Sequence, residues 1–248
     1  MKTMPDIEIT EADYQILRHA GEFSSGGEAI ICRGNRPDTL YKIFQSEDEH
    51  LPQIMSDNKF RKILAQFEHP LEHCTHPIST ISMNKELIGY EMTYDEEDIV
   101  LTPDLPRQEL IQYLHQIRKI LEYFSSKDII YGDIKSNNIL INRRTRQAKF
   151  CDMDNIQMGE NPIDLIGYDL SCFIDEYGVL DETADIYMHN LLTLEQLSYP
   201  EKSYQSILYT LSAGKYPRHY QKHAKRIMQS MPHPTSFQKE YLIQYVKK

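Results

Sequence analysis

The stretch 131-YGDIKSNNIL-140 places an acid, a lysine and two asparagines in ten residues, and 150-FCDMDN-155 adds two more acids soon after. A surface loop can be this polar, but this one is bracketed by 128-DII-130 and 139-ILIN-142. Those brackets read as short apolar strands, so the polar residues hang between two buried elements.

Working outward, 107-RQELIQYLHQIRKILEYF-124 is the clearest helix, with Leu110, Leu114, Ile117, Leu121 and Phe124 at helical spacing. A second helix begins near Thr183 and runs through 185-DIYMHNLLTLEQL-197, and the tail from about 203 reads as further helices. Upstream, residues 95–106 are acidic and contain prolines, which makes them the candidate boundary. Residues 13–45 read as β-rich, with 29-AIICR-33 and 40-LYKIF-44 joined by the turn 34-GNRPDT-39 as a hairpin. A loop over 46–56 leads to Ser56 or Asp57 as the cap of a helix 58-NKFRKILAQF-67, with Phe60, Ile63, Leu64 and Phe67 on one face. Strands return at 77-PISTISM-83 and 87-LIGYEMTY-94. The expectation is an α+β chain: a small β-rich part with one main helix over 1–94, then a mostly helical part over 95–248.

The 248 residues suffice for one compact domain or two small lobes. A formal net charge of −10 disfavours a basic nucleic-acid footprint, and the 17 tyrosines form no stacking stripe. Cys32, Cys74, Cys151 and Cys172 form no CxxC pair, so reduced thiols are expected. His69, His73 and His76 stand at loop spacing beside prolines and read as solvated or hydrogen-bonded, not as zinc ligands. The start MKTMPDIEIT lacks an apolar signal core, and no apolar run approaches the roughly 20 residues of a bilayer span. A cytoplasmic protein is expected, with signal-less export left open. The basic segment 215-KYPRHYQKHAKR-226 is either a solvated helix face or a site for an anionic partner or activator.

Phosphoryl transfer from ATP needs an acid to orient the acceptor hydroxyl, a cation near the moving phosphate and oxygen ligands for magnesium. Asp133, Lys135, Asn138 and Asp152 supply those groups in one short span. Lys42, on the strand 40-LYKIF-44, adds a cation, and the turn in 23-FSSGGEAII-31 could let backbone approach phosphates.

This order of motifs resembles the protein kinase superfamily over most of the chain, in a reduced form similar to bacterial kinases. In that family H-R-D-x-K-x-x-N is followed by D-F-G; here the motifs read Y-G-D-I-K-S-N-N and D-M-D. The resemblance implies a bilobal fold, ATP and magnesium (or manganese) as cofactors, and transfer to a hydroxyl, with Ser/Thr of a protein as the leading acceptor. It implies Asp133 as base and Lys135 on the γ-phosphate, with Asn138 and Asp152 as metal ligands. It implies Lys42 on the α- and β-phosphates. Ser25, Gly26 and Gly27 would form a degenerate glycine loop, with Ile31 over the adenine. The segment 90-YEMTY-94 is similar to the hinge, with Glu91, Met92 and Tyr94 at the adenine edge, and Asp185 to the acid that braces the catalytic loop.

Several positions depart from the family pattern. Tyr131 and Gly132 replace His and Arg, so no receiver for an activating phosphate is expected. Asp154 replaces the glycine of D-F-G and reads as a metal ligand, a supporting acid or an exposed loop acid. No helix glutamate for Lys42 is evident; Asp57 is the one acid between His50 and Gln66, and Glu47 and Glu49 could also reach. No A-P-E occurs; Glu176 in 174-IDE-176 is the nearest stand-in, and His233 replaces its arginine partner. Two alternatives stay open: a small-molecule or lipid kinase of the same fold, and a pseudokinase that binds nucleotide or acts as a scaffold.

Overall fold

The computed structural model describes residues 3–19, 22–25, 29–46, 51–159, 179–180 and 184–197. The chain is α+β, and its residues group into two compact units. One comprises Met1–Ile99 with Asn142–Thr145 and Lys149–Asp154; the other comprises Val100–Ile141, Arg146–Ala148 and Asn155–Lys248.

The first unit is built on a six-stranded sheet. Its strands are β1 (Asp6–Glu8), β2 (Glu22–Ser25), β3 (Ala29–Arg33), β4 (Thr39–Phe44), β5 (Pro77–Met83) and β6 (Glu86–Thr93), in the order β1-β5-β6-β4-β3-β2. All six residues of β4 are buried, because the sheet is covered on both faces. On one face Tyr41 and Ile43 join Tyr14, Ile30, Ile81 and Ile88. On the other, Leu40 and Phe44 join Met55, Ile63, Tyr90 and Met92. Burial on both faces removes the usual alternation, and β4 reads as a near-continuous apolar run interrupted by Lys42. The register pairs Lys42 with Ile31 on β3 and Tyr90 on β6. Gly89 makes this approach possible: a Cβ there would lie 2.2 Å from the Lys42 carbonyl oxygen.

The two helices of this unit have legible starts. Helix α2 (Asp57–Glu68) is capped by Ser56, whose hydroxyl accepts from the Lys59 N–H. Helix α1 (Glu11–His19) overlaps the start of the stretch 13–45 expected to be β-rich, which is a correction. Its start is a reciprocal cap: the Thr10 N–H donates to Asp13, and the Asp13 N–H donates to Thr10 Oγ1. The strand β7 (Asp98–Val100) falls in the stretch read as loop. The expected linear boundary at 94/95 differs from the observed grouping, in which 149–154 returns to the first unit. That return has a local cause. Phe150 exchanges backbone hydrogen bonds with His73 and Thr75, and Lys149 pairs with Asp98.

In the second unit α3 (Arg107–Ser125) buries Leu110, Tyr113, Leu114, Ile117, Ile120, Leu121 and Phe124 along one face. Strand β8 (Ile129–Ile130) pairs antiparallel with β11 (Gln157–Met158). Strands β9 (Ile139–Asn142) and β10 (Gln147–Phe150) complete a three-stranded sheet in the order β10-β9-β7. The polar stretch 131–138 therefore hangs between β8 and β9, as its apolar brackets predict. Helix α4 (Ala184–Leu197) packs with α3. The side chain of His189, Nε2–H donating, is 2.9 Å from the Leu114 carbonyl oxygen.

Candidate active site

The first unit gathers charge around Lys42. Its ammonium is almost fully buried and donates to Asp154 Oδ1 at 2.6 Å and to Asp152 Oδ1. Asp154 is 0% exposed, so the reading of it as an exposed loop acid is corrected. It also accepts from the Tyr90 hydroxyl at 2.9 Å, and its Oδ2 lies 3.6 Å from the Lys59 ammonium on α2. The neighbouring Met153 carbonyl accepts from Gln66 Nε2 of the same helix at 2.8 Å. Burial by itself would drive Lys42 toward its neutral form. Asp154, with Tyr90 and Asp152 beside it, outweighs that and holds the lysine well above its usual pKa. Burial opposes ionisation of Asp154 too, yet Lys42 and Lys59 pull its carboxyl below the ordinary range. Asp152 differs: burial, with the Asp154 charge adding to it, raises it despite Lys42. Its side chain is also the more accessible, 27% exposed, on a backbone with φ of 61°.

Asp57 is exposed in the first turn of α2, where the helix dipole suits it. The described acids on Lys42 are Asp152 and Asp154, so Asp57 is corrected as its partner. A buried ammonium requires a buried counter-charge, which a solvated helix cap does not provide. The expected hinge also changes. Glu91 and Met92 lie in the ladder between β4 and β5, paired with Tyr41 and Leu40 on one side and Ser79 and Pro77 on the other. The Glu91 carboxylate is buried and accepts from Ser79 and Arg36. The Tyr94 N–H donates to the Asp38 carbonyl at 2.8 Å, so it is already engaged. Met92 sits in the core cluster, against which Ile31 and Tyr94 also pack. Ser25 ends β2 opposite Ile30. Gly26, Gly27, Glu47, Glu49, Glu176, His233 and 215–226 lie outside the described residues.

The second unit holds the other set. Asp133 is 7% exposed, and its Oδ2 accepts from Lys135 Nζ and Asn138 Nδ2, both at 2.7 Å. Asn138 closes a 3₁₀ turn, Ser136–Asn138, and Nδ2 also reaches the Asp133 carbonyl at 3.0 Å. Asp133 Oδ1 is buried with no hydrogen-bond partner among the described residues. An orphaned buried acceptor is costly unless something else uses it. The loop is braced from α4, where Asp185 accepts the Tyr131 N–H at 2.7 Å and the Gly132 N–H at 2.8 Å. Gly132 has φ of 76°, a left-handed conformation that glycine adopts without a side-chain penalty. Burial raises the Asp185 carboxyl to about 6 against the pull of those two N–H groups.

Three curated proteins match the chain, each at 24% identity. One is named "Probable serine/threonine-protein kinase kinY", from Dictyostelium discoideum; the match covers 79% of this chain and 39% of that one. Another is mitogen-activated protein kinase 11 of rice (Oryza sativa subsp. japonica), covering 56% and 25%. A third is the DNA damage response protein kinase DUN1 of Saccharomyces cerevisiae, covering 75% and 34%. The resemblance is to the protein kinase superfamily. No family model matches the sequence. The chain spans less than two fifths of the length of each of these relatives.

The α+β fold of this kinase-like chain agrees with that resemblance, and its site contains residues that the sequence reading passed over. Tyr90, Lys59 and Gln66 fix 153–154, and His189 joins α4 to α3 one turn after Asp185. For Lys59 and Gln66 a signal existed: with Lys62 and Ile63 they form one buried or half-buried face of α2 that carries no acid. Among the described residues no group of three or more His, Cys, Asp or Glu side chains gathers as a metal site.

Proposed function

We propose that the chain is an ATP- and magnesium-dependent phosphotransferase that moves the γ-phosphate to a hydroxyl, with Ser/Thr of a protein as the acceptor. Similarity to three proteins named as protein kinases supports phosphotransfer. The observation that carries the proposal is the arrangement of Asp133. One oxygen is held by Lys135 and Asn138, and the other is buried without a hydrogen-bond partner among the described residues.

In this reading the acceptor hydroxyl donates its hydrogen bond to Asp133 Oδ1. The hydroxyl oxygen forms a bond to the γ-phosphorus as the bond to the β–γ bridging oxygen breaks. ADP leaves with that electron pair, and the proton passes to Asp133. Lys135 neutralises charge on the moving phosphoryl group, and Lys42 holds the remaining phosphates. Asn138 and Asp152 are the residues proposed to hold magnesium. The Nδ2 of Asn138 is committed to Asp133, which leaves its Oδ1 for a cation. Magnesium would supply neutralisation of phosphate charge. No step here uses a phosphate receiver at Gly132, so activity is expected without phosphorylation of 156–184.

The test is incubation with γ-labelled ATP and magnesium, beside Asp133→Ala, with products resolved on a gel and by thin-layer chromatography. Label on protein that disappears in Asp133→Ala supports the proposal. Label only on a small molecule moves the acceptor to the alternative kinase class. ATP binding without turnover favours the pseudokinase.

A further inference from the structure

We propose that Asp154 is the fixed counter-ion that positions Lys42, in place of an acid on helix α2, and that α2 acts on this lysine through Lys59 and Gln66. The inference rests on the phosphotransfer reading above and assigns the means by which that site holds its lysine.

Three observations carry it. First, α2 has no acid to offer: its two acids are Asp57, exposed in the first turn, and Glu68 at its last residue. Second, the two oxygens of Asp154 have separate duties. Oδ1 accepts from Lys42 and Tyr90, and Oδ2 faces Lys59. The carboxylate is thus hydrogen-bonded from the sheet and faces an ammonium of the helix, while Oδ2 has no hydrogen-bond partner among the described residues. Both ammonium groups also lie over the Phe44 ring, at 5.4 Å for Lys42 and 4.5 Å for Lys59. Third, Lys59 and Gln66 are two turns apart on one helix face, and they address consecutive residues: Gln66 the Met153 carbonyl, Lys59 the Asp154 side chain. A shift of α2 along its axis would disturb both contacts together.

The pairing also resolves a conflict over Asp152. That acid contacts Lys42 here, yet it is the more accessible of the two and is proposed to hold magnesium. When Asp152 turns to a cation, Asp154 stays buried on the lysine. Asp154 is proposed to act through Lys42, which makes it a positioning residue.

The test compares wild type, Asp154→Asn, Lys59→Glu and the double variant Lys59→Glu/Asp154→Asn. Calorimetry gives affinity for ATP with magnesium, steady-state kinetics give kcat and KM, and melting temperatures check folding. Asp154→Asn is expected to lose at least about tenfold in ATP affinity, the scale of one charge-assisted hydrogen bond. The double variant returns one carboxylate from the helix side and is expected to recover most of that loss. Lys59→Glu alone, with acids facing each other, is expected to bind more weakly than the double. Wild-type affinity in Asp154→Asn, or a folded double variant no better than Asp154→Asn, would overturn the proposal. If Asp154→Asn fails to fold, the double must melt above it, and a double that melts no higher overturns the proposal. Wild-type ATP binding without turnover would sink the phosphotransfer reading, while the affinity comparison would still decide this one.

Discussion

Replacing Lys42 by methionine keeps an unbranched stem of similar length and removes only the ammonium. In a surface lysine this change would hardly register. Here it takes the hydrogen-bond donor from two carboxylates, one of them 0% exposed. Removing one member of a buried ion pair typically costs about 3–5 kcal/mol, because the other charge is left in a poor solvent. Asp154 would retain the Tyr90 hydroxyl at 2.9 Å and Lys59 at 3.6 Å, which points to the lower end, about 3 kcal/mol. Arg33→Met serves as the contrast. The Arg33–Glu96 pair has a similar length, 2.9 Å, but its side chains are 58% and 67% exposed, so the expected loss is under about 1 kcal/mol. The assay is urea unfolding at pH 7.5 and again near pH 5. In wild type the Asp154 carboxyl is held low, so its stabilisation is present above the unfolded carboxylate pKa and lost as pH falls. In Lys42→Met burial raises it instead, and the penalty is present at high pH and relieved as pH falls. The deficit against wild type should therefore shrink at pH 5. A Lys42→Met protein within about 0.5 kcal/mol of wild type at pH 7.5 would refute the reasoning, since that is the ordinary scatter of surface substitutions. So would a deficit that grows on acidification. A consequence for practice follows: lost activity in Lys42→Met does not separate chemistry from stability.

Other expectations follow from the same geometry. The Asp185 carboxyl is raised to about 6, so its contribution is fully present below the unfolded value and lost as pH rises through 6. Asp185→Asn should therefore gain on wild type between pH 4 and 7, by up to roughly 3 kcal/mol, when melting is followed across that range. His189 moves the other way: burial lowers it to about 4, so its stabilisation is present above the usual histidine value and lost as pH falls through 4. His189→Gln should shift the acid limb of unfolding, followed by circular dichroism, to lower pH. Gly89→Ala would set a methyl 2.2 Å from the Lys42 carbonyl oxygen and 3.0 Å from Ile43 Cα, both backbone atoms. It should lower stability by about 2–3 kcal/mol in urea unfolding and weaken ATP binding with it.

Much of this architecture was legible because local chemistry and tertiary context agree. The 107–124 periodicity marks α3, observed as Arg107–Ser125, and the Gly/Asn/Pro turn marks the β3–β4 hairpin. The polar loop between β8 and β9 was readable from its apolar flanks. Helix α1 carries its own signal, the capping box of Thr10 and Asp13, beside a stretch whose apolar runs read as strands. Strand β7 leaves no signal in the sequence, because an acidic, proline-bounded run gives no alternation. For the partner of Lys42 a linear reading points to the following helix. The observed partner lies 112 residues away in sequence, and only the folding of 149–154 back onto the first unit brings it there. The pairing of Glu91 and Met92 on both sides is hidden for a related reason: which backbone groups a central strand has already spent depends on both neighbours, and sequence alone does not give that pairing.

In the proposed reaction Asp133 acts on the acceptor and not on nucleotide binding. The direct measurement is kcat for Asp133→Asn, together with its affinity for ATP and magnesium by calorimetry. Asparagine keeps the shape but cannot take the proton. A kcat lower by about 10²–10⁴-fold, the usual share of a general base, is expected, with affinity within about threefold of wild type. Retained turnover, or a loss of affinity as large as the loss of rate, would contradict that role.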